Sequence, residues 1–429
     1  MHDFDYQNGN LFCEGVDLNQ LASTYGTPLY VYSENTIKDN FNRLSSALSD
    51  LDHRIAFAVK SNSNLSVLKS LNDIGADFDI VSGGELFRVL KAGGSADQCT
   101  FAGVGKTREE IEYSLEQGIY SFNVESEAEL RFINEIAKEK NTIAPVAVRV
   151  NPNVDAKTHK YISTGKSENK FGIDFEFIED LYLKASSELS NVKLRGLQMH
   201  IGSQLTQVKP FLEAVEKVSP LVTKLKANHE IEFFSIGGGI GIIYEDALAS
   251  GKKEWWDNQD PENKPLTVEE YAQKLVPILS PLDIKILLEP GRFMVGNAGT
   301  LITKVLYKKI GTAKNFAIVD SGMGDLIRPA LYEGHHEIVP LIKNTGETQV
   351  VDIVGPICES GDFFAQNRDL PLLQEGDHIA LLSAGAYGFV MASNYNSRAF
   401  PAEIMVNGST HKVVRKRQSY DDLIMGEEL

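Results

Sequence analysis

Short apolar runs alternate with amphipathic stretches through most of the first 300 residues. Each apolar run ends in a polar or glycine-rich tip, and a segment with helical periodicity follows it. Asn, Ser or Thr stands before several of the amphipathic stretches as a possible N-cap, and Gly follows their ends. The apolar runs, eight in number, are IAFAVK, DFDIVS, TFAG, SFNVES, VAVRVN, LRGLQMHIGS, FFSIGGG and KILLEPGR. This pattern predicts eight β–α units in series.

Eight consecutive β–α units are typical of a (β/α)8 TIM-type barrel, and we predict one over residues 26–292. A doubly wound parallel sheet is the alternative that periodicity alone leaves open. Residues 293–429 instead carry β-branched runs separated by Gly, Asn and Asp, which predict a C-terminal β-sandwich or β-barrel domain. The fold class is therefore α/β plus all-β. Residues 1–25 are expected to join the β domain, and the polar stretch 244–265 is predicted to be an insertion over the barrel mouth.

Length and charge narrow the class of protein. The 429 residues exceed what one hydrophobic core usually supports, which agrees with two domains. Lys and Arg number 42 against 59 Asp and Glu, so the net charge of −17 argues against nucleic-acid binding. The N-terminal segment MHDFDYQNGN is polar, and no run of eighteen apolar residues follows it. We therefore expect a protein that is neither secreted nor bound to a membrane.

The three cysteines, Cys13, Cys99 and Cys358, are widely spaced and include no CxxC pair. An odd number of scattered cysteines is typical of a reducing compartment, so a cytoplasmic location is expected, with neither a disulfide framework nor a metal site.

Polar residues gather at the ends of the predicted barrel strands, where they would share one mouth. Lys60 follows small apolar residues, which suits a Schiff-base lysine because desolvation favours the neutral, nucleophilic amine. The glycine run SIGGGIG offers backbone N–H groups to a phosphate, although it lacks the spacing of a dinucleotide-binding motif. Glu289 follows an apolar run and needs a polar partner. His200, taken alone on an apolar strand, favours a buried structural histidine over a catalyst. The candidate residues at this mouth are Lys60, Asp79, Arg149, His200, Gly237, Gly238, Gly239, Glu289 and Arg292.

A Schiff-base lysine, a phosphate loop and a buried carboxylate together predict a pyridoxal 5'-phosphate site. The motifs AVKSN, HIGSQL, SIGGGIG, EPGR, CESGD and SAGAYG occur in this order between about Tyr30 and Phe400. In this order they resemble the alanine-racemase-type barrel decarboxylases, and most closely the diaminopimelate decarboxylases. The resemblance implies a carboxy-lyase that converts meso-2,6-diaminopimelate to L-lysine and CO2, the last step of lysine biosynthesis. It also implies a cytoplasmic homodimer with shared active sites.

The same resemblance implies roles for individual residues. Lys60 would bind the cofactor covalently, His200 would stack on its ring, and Glu289 would pair with the ring nitrogen. Cys358, which alone could be a small buried apolar residue, would donate a proton at the mouth of the partner subunit's barrel. The remaining cofactor-binding residues would be Asp79, Arg149, Ser203, Gly238, Gly239, Gly291, Arg292 and Tyr387.

Charge gives an independent argument about the substrate. The distal end of diaminopimelate carries both an ammonium and a carboxylate, so its site needs residues of both signs. The predicted substrate-binding residues are Arg292, Arg328, Tyr332, Glu359 and Tyr387. Two alternatives stay open: a decarboxylase of the same fold acting on ornithine, arginine or carboxynorspermidine, and a catalytically silent regulatory homologue.

Overall fold

A computed structural model describes residues 1–155, 170–260 and 264–429 of the chain. The chain divides into two compact units. The barrel unit comprises Asn40–Gly241 and Pro265–Phe293, and the β unit comprises Met1–Asp39, Ile242–Lys264 and Met294–Leu429.

The strands of the described residues are numbered in chain order. They are β1 (Phe4–Gln7), β2 (Asn10–Cys13), β3 (Val16–Asp17), β4 (Leu29–Ser33), β5 (His53–Ala58), β6 (Asp77–Ile80), β7 (Cys99–Phe101), β8 (Ser121–Val124), β9 (Ala144–Asn151), β10 (Ile173–Asp174), β11 (Val192–Gln198), β12 (Phe233–Ser235), β13 (Lys285–Leu288), β14 (Gly299–Ile310), β15 (Asn315–Val319), β16 (Ile338–Pro340), β17 (Thr348–Val354), β18 (Phe363–Pro371), β19 (His378–Leu381), β20 (Ala402–Asn407) and β21 (Thr410–Arg415).

The α-helices of the described residues are numbered in the same way. They are α1 (Leu18–Tyr25), α2 (Glu34–Ala47), α3 (Leu65–Asn72), α4 (Gly83–Lys91), α5 (Arg108–Gln117), α6 (Glu127–Glu139), α7 (Ile178–Glu188), α8 (Lys209–His229), α9 (Lys253–Asp257), α10 (Val268–Leu279), α11 (Arg292–Val295), α12 (Arg328–Tyr332) and α13 (Tyr420–Leu423).

The barrel unit contains a closed barrel of parallel strands. Its order is β5, β6, β7, β8, β9, β11, β12 and β13, and β13 pairs with β5 to complete the circle. Each strand overlaps one of the eight apolar runs, so the predicted TIM-type barrel is confirmed. The doubly wound alternative is wrong because that sheet would keep two open edges. Several strands carry large aromatic side chains that are fully buried, namely Phe57, Phe78, Phe101, Phe122 and Phe233.

Helix caps fix where three of the helices between the barrel strands begin. Ser82 accepts a hydrogen bond from the backbone N–H of Glu85 at the start of α4, and Ser126 caps α6 in the same way. Thr107 and Glu110 form a reciprocal capping box at the start of α5. Since these caps follow β6, β7 and β8 closely, these three strands end in short polar loops at the same rim of the barrel.

The β unit is built around a mixed sheet with the strand order β18, β17, β15, β14, β4, β20 and β21. A separate three-stranded sheet is formed by β1, β2 and β3. Strand β4 pairs with β14 on one side and with β20 on the other, and all five of its residues are buried. The predicted barrel began at residue 26, whereas residues 26–39 lie in the β unit because β4 completes this sheet.

Residues 242–264 also lie in the β unit. Ala247 is buried in a hydrophobic cluster with Leu11, Leu341 and Val406, and Leu248 packs against that cluster. The segment predicted as the insertion 244–265 therefore contributes to a core, although it is polar overall. Its residues 261–263 lie outside the described residues, and its placement over the barrel mouth stays a prediction.

Candidate active site

Lys60 and Asp79 lie at the ends of neighbouring strands. Lys60 belongs to a single 3-10 turn directly after β5, and Asp79 is the third residue of β6. The Lys60 Nζ donates to Asp79 Oδ2 at 2.8 Å. The Asp79 side chain is fully buried, whereas the Lys60 side chain is 40% exposed. The amine is therefore held at the mouth by a buried carboxylate and stays accessible to a ligand.

Glu289 follows β13 and is buried. Its Oε1 accepts a hydrogen bond from Ser235 Oγ at 2.7 Å, and its Oε2 accepts one from Gln198 Nε2 at 2.8 Å. Asn123 Nδ2 lies 3.5 Å from Oε1. Burial and the negative charge of Asp79 raise the pKa of Glu289 to about 7, although these hydrogen bonds and the charge of Lys60 act in the opposite direction. The carboxyl is thus prepared to exchange a proton with a basic group at neutral pH.

His200 lies two residues beyond β11 and faces the glycine run. The backbone N–H of Gly238 donates to His200 Nδ1 at 3.2 Å, so this nitrogen acts as the acceptor. Burial, followed by the positive charges of Arg149 and Lys60, lowers the pKa of His200 well below its ordinary value. His200 is therefore a neutral imidazole that carries its proton on Nε2.

The glycine run approaches neighbouring backbone too closely for a side chain. A Cβ on Gly238 would lie 2.1 Å from the carbonyl oxygen of Glu289, and a Cβ on Gly239 would lie 2.4 Å from that of Gly202. Gly239 also has a φ of +114°, which favours glycine. A Cβ on Gly291 would lie 3.1 Å from Ser61. The glycines thus allow the ends of β11, β12, β13 and β5 to approach one another closely.

Three further predicted residues lie in the barrel unit. Arg149, on β9, is buried and donates to Glu125 Oε1 at 3.0 Å. Arg292 begins α11, and its Nη2 donates to Ser203 Oγ at 3.2 Å. All the predicted residues of the barrel unit therefore lie at or just after the carboxyl ends of the barrel strands.

The β unit holds the remaining predicted residues. Arg328 begins α12 and is buried, and Tyr332 ends the same helix and is partly buried. Cys358 and Glu359 lie in an exposed turn after β17, where the N–H of Cys358 donates to Asn396 Oδ1 at 2.9 Å. Tyr387 is partly buried and has a φ of 55°, a conformation that side-chain-bearing residues seldom adopt.

Asp362, the last residue of the CESGD motif, organises the turn that carries Cys358. Its buried carboxylate accepts 2.6 Å hydrogen bonds from the backbone N–H groups of Met323 and Ile357. The backbone N–H of Asp362 in turn donates to the carbonyl oxygen of Glu359 at 3.1 Å. The turn is therefore held from both sides.

Sequence reasoning missed Gln198, Ser235 and Asn123, the residues that surround Glu289. Each lies within an apolar run that had been assigned to a barrel strand, and a polar residue in such a run is the signal that could have found it. Glu125, the partner of Arg149, was missed as well, since it follows its strand as an ordinary rim carboxylate would.

In residues 1–155, 170–260 and 264–429, no group of three or more His, Cys, Asp or Glu is placed to hold a metal ion. Over the same residues, no helix combines the length and apolar character needed to cross a bilayer.

Comparisons with known proteins agree with this geometry. The profile of the pyridoxal-dependent decarboxylases, pyridoxal-binding domain, matches residues 34–296. The diaminopimelate decarboxylase of Vibrio cholerae is 46% identical over 426 residues, which cover 99% of this chain and 98% of that protein.

Solved structures agree over the same length. The diaminopimelate decarboxylase from Helicobacter pylori, complexed with L-lysine, has a TM-score of 0.88 at 40% identity and covers 95% of this chain and 98% of its own. The enzyme of that name from M. jannaschii, in co-complex with L-lysine, has a TM-score of 0.90 at 37% identity and covers 99% of this chain and 98% of its own. The chain therefore belongs to the pyridoxal-dependent decarboxylases, and within them to the diaminopimelate decarboxylase family.

Proposed function

We propose that this protein is a pyridoxal 5'-phosphate-dependent carboxy-lyase that converts meso-2,6-diaminopimelate to L-lysine and CO2. The observation that carries the proposal is the presence, at one barrel mouth, of an accessible amine on Lys60 and a buried carboxyl on Glu289. The names of relatives that match over nearly the full length of the chain support the choice of substrate.

The residues of the barrel unit fit this cofactor. A buried carboxyl with a raised pKa suits a partner that brings a basic nitrogen, because an ion pair would offset the cost of burying its charge. The buried side-chain atoms without a hydrogen-bond partner among the described residues include three oxygens of residues at or near this mouth, Asp79 Oδ1, Asn123 Oδ1 and Gln198 Oε1. The glycine run brings the backbone of neighbouring strand ends close together, and glycine-rich backbone of this kind can bind a phosphate.

Each residue then has a defined task. When bound, the cofactor supplies an electron sink for the pair left behind by CO2. Lys60 would hold it covalently, Glu289 would pair with its ring nitrogen, and neutral His200 would pack against its ring. Asp79 and Arg149 support the ring. The phosphate would be held by Ser203, Gly238, Gly239, Gly291, Arg292 and Tyr387.

The distal end of the substrate requires both signs of charge. We assign the carboxylate to the guanidinium groups of Arg292 and Arg328, with Tyr332 and Tyr387 as neutral donors, and the ammonium to Glu359. Ornithine and arginine, the substrates of the alternative decarboxylases, have no carboxylate at that end. Arg328→Met should therefore raise KM for diaminopimelate, whereas the inhibition constant of ornithine, which has no distal carboxylate, should change little.

Cys358 is assigned to proton donation at the substrate Cα. The exposed turn after β17 supports this role, since a proton donor must be reachable. As the family resemblance implies, we propose a homodimer in which Cys358 serves the partner subunit's barrel. Mixing inactive Lys60→Ala with inactive or slow Cys358→Ala subunits should then restore activity, because the mixed dimer has one site that contains neither substitution. A mixture no more active than its parents would contradict shared sites.

The reaction itself is tested by CO2 and lysine release from purified protein supplied with pyridoxal phosphate and meso-diaminopimelate, beside ornithine, arginine and lysine. Lysine from diaminopimelate alone is expected. Lys60→Ala should abolish turnover, whereas Lys69→Ala, which removes an exposed lysine on α3, should not. Turnover of another substrate would overturn the assignment of the distal residues, and no turnover at all would support a silent homologue.

We also propose a cytoplasmic location. Buried Cys13 and Cys99 and exposed Cys358 are all free thiols, which suits a reducing compartment. Cell fractionation followed by the activity assay tests this location, and activity recovered outside the cytoplasmic fraction would contradict it.

A further inference from the structure

His336 lies between α12 and β16, and its side chain contacts Arg328. The imidazole is fully buried, and the Arg328 side chain is nearly so. His336 Nε2 lies 2.6 Å from Arg328 Nη1, and His336 Nδ1 lies 2.7 Å from the carbonyl oxygen of Leu382. Both contacts lie within the β unit.

These two contacts determine the protonation of His336. A backbone carbonyl only accepts hydrogen bonds, so Nδ1 must carry the proton that Leu382 receives. A guanidinium only donates, so Nε2 must present its lone pair to Arg328. His336 is therefore a neutral imidazole in one tautomer, and it orients the guanidinium without neutralising its charge.

The backbone around His336 is fixed as well. Strand β16 follows it and pairs with β19, where Ile338 lies opposite Leu381. The N–H of Leu382 donates to the carbonyl oxygen of Glu337 at 2.9 Å. The acceptor that selects the tautomer is thus held in register with the histidine by the sheet.

Tyr244 holds the guanidinium from another direction. The Arg328 Cζ lies 4.2 Å from the centre of the Tyr244 ring, and that ring meets His336 edge-on at 5.2 Å between centroids. Stacking on an aromatic face fixes the plane in which the guanidinium lies, and a bidentate contact with a carboxylate depends on the direction of that plane. Tyr244 belongs to the segment 242–264, so part of the predicted insertion supports this arginine.

We infer that His336, together with Tyr244, is a positioning residue that aims the Arg328 guanidinium and thereby sets the preference for ligands with a distal carboxylate. The inference rests on the proposed function, in which Arg328 binds that carboxylate. Neither residue is assigned a contact with the substrate.

The test compares L-lysine with 1,5-diaminopentane as inhibitors of the holoenzyme, because the two molecules differ only in one carboxylate. The ratio of their inhibition constants measures the contribution of that carboxylate. His336→Asn keeps a donor near the Nδ1 position but offers no acceptor at the Nε2 position, whereas His336→Gln can place its amide oxygen there.

His336→Asn should lower the preference for L-lysine about tenfold, the usual effect of losing a hydrogen bond that orients a charged group. KM for diaminopimelate should rise by a similar factor, with kcat and the absorbance of bound cofactor little changed. His336→Gln should keep most of the preference. Tyr244→Leu should act in the same direction as His336→Asn, which provides a second variant if that one fails to fold.

Arg328→Met distinguishes a wrong distal-carboxylate assignment from a wrong positioning role of His336. If Arg328→Met leaves the preference for L-lysine intact, the distal-carboxylate assignment of the proposed function is wrong. If Arg328→Met abolishes the preference while folded His336→Asn and Tyr244→Leu both retain it, only the positioning role of His336 is overturned.

Discussion

Glu289 should control how the stability of the cofactor-free protein depends on pH. Its pKa is raised from 4.5 to about 7, first by burial and then by the charge of Asp79. Such a carboxyl binds its proton more tightly in the folded state than in the unfolded state. Its contribution to stability is therefore present below pH 4.5 and is lost as the pH rises through 7. Since one pKa unit corresponds to about 1.4 kcal/mol, the loss amounts to about 3 kcal/mol.

The perturbation is Glu289→Gln, which removes the titration and keeps the shape of the side chain. Urea unfolding of the cofactor-free protein at intervals between pH 4.5 and 8 gives the free energy of unfolding. The wild-type protein should lose about 3 kcal/mol relative to the variant over this range. Glu85 and Asp325 also have raised pKa values, about 7 and about 6, but they titrate in both proteins and cancel in the difference.

A second variant tests the cause of the effect. Ser235→Ala removes a 2.7 Å hydrogen bond that favours the ionised form of Glu289. A bond of this kind contributes roughly 1.5 kcal/mol, so the pKa should rise by about one unit and the loss of stability should continue towards pH 8. Ser219→Ala is the control, because that hydroxyl donates to a backbone carbonyl within α8. Identical pH profiles for wild type and Glu289→Gln would refute the reasoning.

Three further substitutions have defined outcomes. Gly238→Ala should weaken cofactor binding and reduce stability by about 1–3 kcal/mol, because its Cβ would meet a backbone carbonyl. Gly105→Ala is the control, since a Cβ there meets nothing within 4 Å. Absorbance titration with the cofactor and thermal unfolding measure the two effects, and equal results for the two variants would contradict the close approach at Gly238. Asp362→Asn should lower kcat more than it raises KM, because one of the two backbone N–H groups bound by Asp362, those of Met323 and Ile357, loses its acceptor and the turn carrying Cys358 is held less firmly. Steady-state kinetics decide, and an unchanged kcat would refute this role. Lys106→Met should cost about 3–5 kcal/mol, because the largely buried Glu129 carboxylate loses its ion-pair partner and two backbone carbonyl oxygens lose their donor. A loss under about 1 kcal/mol in urea unfolding would contradict that view.

Much of the barrel and its mouth could be predicted from the sequence. A parallel barrel buries its strands on both faces, so each strand appears as an uninterrupted apolar run. The carboxyl ends of barrel strands converge, so the sequence alone placed Lys60, Asp79 and Glu289 at one rim. The polar residues that follow each run carry this information locally.

Contacts between distant parts of the chain could not be predicted in this way. Strand β4 has the same apolar texture as a barrel strand, and only its pairing with β14 and β20 assigns it to the other unit. Gln198 and Ser235 are polar residues in apolar runs, but their common partner Glu289 follows a different strand. Local periodicity indicates which side chains are buried, but it does not indicate which distant residues they contact.

The pairing of β4 has a consequence for the synthesis of the protein. Residues 29–33 leave the ribosome early, yet they pair with residues 299–302 and 402–406, which are made only after the barrel unit. Until then both edges of a strand that is fully buried in the native sheet are without their partners, a condition that favours pairing with other nascent chains. The slower the synthesis of residues 299–406, the longer the strand would stay open to such pairing.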